Sequence, residues 1–329
     1  MIFKSYPEME NHSKSRIINA VIEQGHGAAD VVWCSREKIH GTNFSFWYNG
    51  VDDARAARRT DFLEFADKFY DFTNIERRYQ MCIQSLYLRL GLTTEVMAVY
   101  GEYAGIMSSG KWIQTGIEYG PQDFYAFDIM VDGVPIDDDV MESACLDCGM
   151  KTAPLLKVGT FKEVMEVPND LQSVVMTKNE TGTFEIVKGT DNIAEGYVAK
   201  PRVGRRFWNG ARVAIKCKNE KWSETAKGKG VKIEVKDISE IDASILFLLG
   251  DYITDNRLKN VLSKIGVPET KEFGKVMGML SQDIIKDYES DTETLVKDAD
   301  EPSRVCRMLN TAVGNFIRPL WVDICDGAW

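Results

Sequence analysis

Glu37-Lys38-Ile39-His40-Gly41-Thr42-Asn43 is the stretch on which the reading of this chain turns. It follows a short apolar run, Val31 to Cys34, with the composition of a strand, and its glycine marks a turn. A glycine there either takes up positive φ or lets the backbone approach something closely. A lysine amine attacks phosphorus only when deprotonated, so a nucleophilic Lys38 needs desolvation or neighbouring cations. Alone, the heptapeptide is weak evidence, because lysines beside glycine turns are common on surfaces.

Working outward, further groups follow in order. Arg58-Arg59-Thr60 comes after one hairpin-like interval, and Tyr100-Gly101-Glu102-Tyr103 places a carboxylate at the end of a strand expected over Val96 to Tyr103. Phe124-Tyr125-Ala126-Phe127-Asp128 offers Phe127 as a stacking surface, and Glu195-Gly196-Tyr197-Val198 supplies a second strand-borne carboxylate. Arg212 to Lys218 alternates, with Val213, Ile215 and Cys217 on one face and Lys216 and Lys218 on the other. Each group has a bland alternative: Glu102 and Glu195 as members of buried hydrogen-bond networks, Phe127 as core, the lysines as a solvated face. Only the ordered set makes the chemical reading prevail.

The rest of the chain frames that set. Its 329 residues, 44% of them hydrophobic, suffice for two domains with buried cores. No run approaches the roughly 18 apolar residues of a membrane span, and the N-terminus lacks the apolar core of a secretory signal. Seven cysteines at irregular spacing read as reduced thiols in a cytoplasm, and the lone Cys145-x-x-Cys148 pair as incidental. The net charge of −10 opposes a polyanionic partner until its distribution is considered. Eleven Lys or Arg against two Glu lie between Lys200 and Lys232, interleaved with Phe207, Trp208 and Trp222, which could stack on bases or sugars. Strand and turn signals, with helical ones at Arg77 to Leu90 and Phe161 to Val167, run to the Gly/Lys-rich loop 227–232. Helical spacing takes over in Ile241 to Thr254, Arg257 to Gly266, Lys271 to Tyr288 and Arg304 to Ile317. The expectation is an α+β domain over 1–234 and a small all-helical domain over 235–329.

In order and composition these groups resemble the nucleotidyltransferase superfamily of DNA ligases, RNA ligases and capping enzymes. The sequence is most similar to the RNA ligase 2 family of T-even-type phages, with the kinetoplastid RNA-editing ligases as relatives. The likeness extends to Lys264-Ile-Gly266, Phe273 to Gly278, Gln282-Asp283 and Ile317-Arg-Pro319. It implies an N-terminal adenylyltransferase domain built on antiparallel sheets and a helical C-terminal ligation domain. It also implies an ATP-dependent RNA ligase that seals 3′-OH/5′-phosphate breaks in nicked duplex RNA. Lys38 would carry AMP; Glu37 and Ile39 would border the adenine and Phe127 stack on it. Glu102 would hold the ribose, Arg59 and Asn43 contact sugar or phosphates, and Lys216 and Lys218 neutralise the α-phosphate and help Lys38 shed its proton. Glu195 would hold Mg²⁺ (or Mn²⁺), and Arg257 and Asp283 would contact RNA. A monomer, a phage or viral source and the host cytoplasm are further implications. Asp61-Phe-Leu63 departs from the family pattern after Arg59-Thr60, and 77–94 and 157–192 align loosely, so the resemblance bears on adenylylation more than on substrate preference. The alternatives are a DNA ligase or GTP-using capping enzyme, against which His40 and the helical C-terminal region weigh, and a non-catalytic RNA-binding protein.

Overall fold

The computed structural model describes residues 1–234 and 237–329, which form two compact units, Met1–Lys221 and Trp222–Trp329. The boundary drawn from sequence at 234/235 abuts the two residues outside the described ones. Residues 227–232 form a loop held within the second unit. The N–H groups of Gly228 and Gly230 donate to the Asp251 carboxylate at 2.7 and 3.0 Å. Ala226 and Val231 N–H donate to the carbonyls of Asp251 and Gly250.

In chain order the strands are β1 (Glu10–Asn11), β2 (Trp33–Glu37), β3 (Thr42–Tyr48), β4 (Arg55–Arg58), β5 (Met97–Ala104), β6 (Asp123–Val131), β7 (Val134–Pro135), β8 (Leu155–Gly159), β9 (Gly196–Pro201) and β10 (Ile215–Lys218). The helices of the first unit are α1 (Ser15–Glu23), α2 (Phe72–Arg89), α3 (Asp138–Asp147), α4 (Phe161–Met165) and α5 (Val175–Thr181). Two sheets result, ordered β1-β10-β9-β2-β8 and β4-β3-β5-β6-β7. All pairings are antiparallel except β1 with β10. Residues 38–41 cross from β2 in one sheet to β3 in the other, so the motif is the joint between them.

Alternation decides which faces are covered. Val213, Ile215 and Cys217 pack with Trp33 and Tyr197 against Ile17 and Val21 of α1 and Val164 of α4. Phe44, Phe46, Val99 and Phe124 pack against Ile75, Tyr79, Ile83 and Leu86 of α2. Phe46 and Phe124 meet edge-on at 5.0 Å, the arrangement ring quadrupoles favour. The expected strand 212–218 begins only at Ile215, because Arg212 leaves the ladder to pair with a buried carboxylate.

That carboxylate belongs to a buried ionic network. Arg36 donates to both oxygens of Asp138 at 2.8 and 2.7 Å, and Lys200 lies 3.1 Å from the same carboxylate. Asp128 accepts from Arg212 Nε at 3.2 Å and from the Tyr6 hydroxyl at 3.0 Å. Buried charges persist only when paired and hydrogen-bonded in this way. Burial opposes ionisation of Asp138, but Lys200 and Arg36 override it and hold that carboxyl well below the usual carboxylate range. Lys200 and Arg212, two members of the basic run, are thus interior.

The second unit contains α6 (Glu240–Gly250), α7 (Asp255–Ser263), α8 (Phe273–Thr292), α9 (Pro302–Ile317) and α10 (Trp321–Cys325). Their apolar stripes meet in a core that includes Leu246, Leu249, Leu258, Val276, Leu280, Ile284, Val305, Leu309 and Val313. The helix expected to reach Thr254 stops at Gly250, because the Thr254 side chain accepts the Arg257 N–H and caps α7.

Candidate active site

Lys38 is the first residue beyond β2, and its N–H donates to the Gly196 carbonyl at 2.9 Å. Gly196 has φ +130°, and a Cβ there would lie 2.0 Å from the Cys217 carbonyl oxygen. Only glycine permits this approach. It brings Glu195, just before β9, and Lys218, the end of β10, beside Lys38. One oxygen of Glu195 accepts from Lys38 Nζ at 2.6 Å and lies 3.3 Å from His40 Nδ1. The other oxygen is 3.0 Å from Lys218 Nζ. Burial opposes ionisation of Glu195, but Lys38, Lys218 and His40 together hold its carboxyl well below the ordinary value. Sequence placed Lys38 among cations; its nearest charged partner is this carboxylate.

The second sheet supplies the facing groups. Glu102 on β5 stands opposite Asn43 on β3 in register. Burial pushes its carboxyl up to about 7, against the pull of Lys38 and then Arg59 and with the push of Glu195. Glu37 is buried, and its carboxylate accepts from Ser173 Oγ at 2.7 Å and the Val174 N–H at 2.9 Å. Desolvation raises it, too, to about 7. Ile39 is buried between the two flanking polar residues of the turn. Lys216 lies two residues before Lys218 on β10, opposite Val198.

Lys38, Glu195, Lys218, Glu102, Arg59, Asn43, Glu37 and Ile39 therefore lie around one turn. Phe127 sits differently: its ring packs edge-on against Tyr6 at 5.0 Å, and its carbonyl accepts from Lys200 Nζ at 2.6 Å. Arg257 and Asp283 lie in the helical unit and meet each other. The Arg257 guanidinium, on a side chain 1% exposed, donates to Asp283 at 2.7 Å and Asp287 at 2.8 Å, and Lys264 takes the other Asp283 oxygen at 2.8 Å. Arg257 thus sits in the acidic cluster of Glu224, Asp283 and Asp287, the one found among the described residues. All seven cysteines are free.

Two residues of the site carried no signal in the sequence. Tyr119 is 2% exposed, and its hydroxyl oxygen accepts the His40 N–H at 2.8 Å, fixing the turn after Lys38. Burial, with the charge of Glu37 adding to it, drives the phenol well above its ordinary value. Ser173, the partner of Glu37, comes from the loosely patterned stretch 157–192. Both lie in aperiodic segments between elements, where residue type alone says nothing about position.

The arrangement suits covalent chemistry on phosphorus. A primary amine is held in a partly buried niche by one carboxylate, a second cation shares that carboxylate, and two further carboxyls stand near. The amine lies 2.6 Å from the Glu195 carboxylate, and only a deprotonated amine can serve as the nucleophile. Phosphate oxygens drawn to Lys218 and a cation drawn to Glu195 would part the pair.

The chain is similar to several known proteins. A family model described as RNA ligase matches residues 31–218, and one described as T4 RNA ligase 2 C-terminal matches residues 235–313. The chain is similar to RNA-editing ligase 2, mitochondrial, of Trypanosoma brucei brucei, with 27% identity across 89% of this chain and 84% of that protein. RNA-editing ligase 1, mitochondrial, of the same organism is 24% identical across 89% and 77%. Among solved structures, Naegleria gruberi RNA ligase with ATP and Mn aligns at 18% identity and a TM-score of 0.47, covering 68% of this chain and 58% of that one. The same ligase with PPi gives 17% and 0.46. The chain thus spans 58% of the length of these solved chains.

Proposed function

The chain belongs to the RNA ligase family, and on that premise we propose that it is an ATP-dependent ligase that seals 3′-OH/5′-phosphate breaks in nicked duplex RNA through lysyl-AMP on Lys38. The observation that carries this is the Lys38 amine, held 2.6 Å from Glu195 with Lys218 on the same carboxylate, at the joint between two sheets.

Lys38 Nζ loses its proton and attacks the α-phosphorus of ATP; the N–P bond forms as the bond to the pyrophosphate oxygen breaks. Lys216 and Lys218 take up phosphate charge, positioning plus electrostatics being what phosphoryl transfer asks of a protein. Glu102 accepts from the ribose hydroxyls, Glu37 and Ile39 line the adenine, and Arg59 and Asn43 meet sugar or phosphate, while Phe127, packed against Tyr6, supports the sheet rather than stacking on the base. AMP then passes to the RNA 5′-phosphate, and attack by a 3′-hydroxyl expels AMP. Mg²⁺ or Mn²⁺ fits the donor chemistry: such ions take one or two carboxylates with phosphate oxygens and water, and Glu195 and Glu102 offer hard oxygens. When bound, the ion would neutralise phosphate charge. Arg257 and Asp283 serve RNA through the surface they brace rather than by reaching out. We take the protein to act as a monomer in an aqueous, reducing compartment such as the cytoplasm, which free thiols suit; among the described residues no helix is long and apolar enough to cross a membrane. The described residues of 237–329 form helices and no strands, which disfavours the DNA-ligase and capping readings with their barrel-like partner domains.

Incubation with α-labelled ATP, GTP or NAD⁺ tests the reading. Label from ATP should appear on the wild type and on neither Lys38→Ala nor Lys38→Arg, since a guanidinium cannot be deprotonated in proteins. Nicked RNA, nicked DNA and single-stranded RNA then report the strand requirement. A labelled Lys38→Arg protein would remove Lys38 from its role.

A further inference from the structure

We propose that the tip of the β9–β10 hairpin is a second RNA-contact subsite, where the Trp208 indole lies on ribose and base edges while Arg205 and Arg206 face phosphates. The inference rests on the ligase reading and extends it to a surface away from Lys38.

Of the three aromatics in the basic run, the structure buries two. Phe207 and Trp222 are in the interior, whereas Trp208 is 82% exposed. A single exposed apolar residue needs no explanation, but this one is held out rigidly. Phe207 N–H donates to the Ala211 carbonyl at 2.8 Å, Gly210 N–H to the Phe207 carbonyl at 2.8 Å, and Val213 N–H to the Arg205 carbonyl at 3.1 Å. The Phe207 ring anchors the turn against His26 at 5.4 Å, and the Trp208 N–H donates to Gln24 Oε1 at 2.9 Å. An indole presented this way has lost its backbone freedom already, so stacking costs little further ordering.

The charge beside it selects the partner. Among the described residues neither Arg205 nor Arg206 pairs with a carboxylate. Arg206 spends its guanidinium on two carbonyls, of Gly210 and Gly133. The Arg205 Nε is buried with no hydrogen-bond acceptor. On a chain of net charge −10, two unanswered guanidinium charges flanking an exposed flat ring suit a phosphate backbone with stackable surface. The sheet sets the span. Glu195 precedes β9, the six residues of which advance about 20 Å at ~3.3 Å each, and the turn lies beyond. One hairpin thus carries Glu195 and Lys218 at its base and Trp208 at its tip, so the arm of RNA that reaches the tip extends at least about 20 Å from the break.

The test compares wild type, Trp208→Ala and Arg205→Gln on nicked RNA duplexes with arms longer or shorter than that span. Lysyl-AMP formation and thermal melting are measured on each protein first. Trp208→Ala should form lysyl-AMP within about twofold of wild type, bind the long-armed duplex roughly tenfold more weakly, as loss of a stacking platform does, and bind the short-armed duplex as wild type does. Arg205→Gln should weaken long-armed binding and lower the slope of log affinity against log salt by about one. It carries the proposal should the tryptophan variant fold poorly. Equal long-armed affinity for wild type and both variants, in a protein that seals nicks, overturns the subsite and leaves the ligase reading intact. Loss of self-association in place of RNA affinity overturns it in favour of a protein interface. A wild type that bound no RNA would overturn both.

Discussion

Gly41→Ala should slow adenylylation about 100-fold, although exchanging glycine for alanine at an ordinary backbone position usually stabilises a protein by ~0.4–1 kcal/mol. Gly41 does not have positive φ, so the backbone itself would tolerate alanine. The obstacle is proximity: a Cβ would lie 2.3 Å from the Tyr103 carbonyl oxygen and 2.8 Å from Ala104 Cβ. Reaching an ordinary 3.4 Å contact needs 3.4 − 2.3 = 1.1 Å of movement between backbones. Thr42 pairs with Tyr103 in register, so the start of β3 must part from the end of β5. The turn bearing Lys38 then moves relative to Glu102. A misplacement of ~1 Å at a reacting group can cost ~100-fold in rate, and overpacking costs roughly 1–3 kcal/mol, or a melting temperature lower by ~2–12 °C for a unit of this size. Single-turnover transfer of label from α-labelled ATP and differential scanning calorimetry measure the two effects. A variant that labels within about threefold of wild type and melts higher would show that close approach is not why position 41 is glycine.

Tyr119→Phe removes the acceptor of the His40 N–H and leaves a buried donor unpaired; we expect lysyl-AMP to form ~10-fold more slowly with the KM for ATP little changed, on the scale of ~1–3 kcal/mol for such a loss. An ATP titration in single turnover decides it, and an unchanged rate would clear Tyr119 of any positioning role. Burial holds the Glu37 carboxyl at about 7, above its ordinary 4.5, so the folded chain binds a proton that the unfolded chain has released. Stability from this group therefore falls as pH climbs from about 4.5 to about 7, and Glu37→Gln, a mimic of the protonated acid, should flatten that fall while leaving stability below pH 4.5 unaltered. Urea melts across the range test this, and parallel profiles would refute it. Arg257→Met should cost the helical unit ~1–3 kcal/mol by removing the donor to Asp287 and to one oxygen of Asp283, carboxylates that water still reaches; a loss under ~0.5 kcal/mol in guanidinium melts would show that the cluster is slack.

Legibility in the sequence followed periodicity. The helical unit was readable nearly element by element, because α7, α8 and α9 bury one stripe each and polar faces alternate with it. The Val213-Ile215-Cys217 face was equally plain. Glu195, Lys218 and Lys38 could be picked out by type and order, but their sharing of one carboxylate depends on Gly196 and the β9–β10 pairing, which spacing does not encode. Helix α3 and strands β4 and β8 were missed, being short or flanked by mixed residues. The basic run misled in part: Lys200 and Arg212 have the composition of a solvated face yet serve the buried network, because Asp128 and Asp138, far away in sequence, supply the countercharge. Long-range partners of this sort leave no local trace.

The fastening of 226–231 to Asp251 governs where relatives of this chain can be recombined. A Cβ on Gly230 would fall 2.3 Å from the Gly250 carbonyl oxygen, and one on Gly250 2.2 Å from the Val231 carbonyl oxygen. The two positions must therefore be inherited together, along with a carboxylate at 251 for the amides of Gly228 and Gly230. A chimera spliced at 234/235 would draw those partners from different parents, whereas a splice at 221/222 keeps them in one. The seam a crossover would tolerate lies upstream of the one that composition suggests.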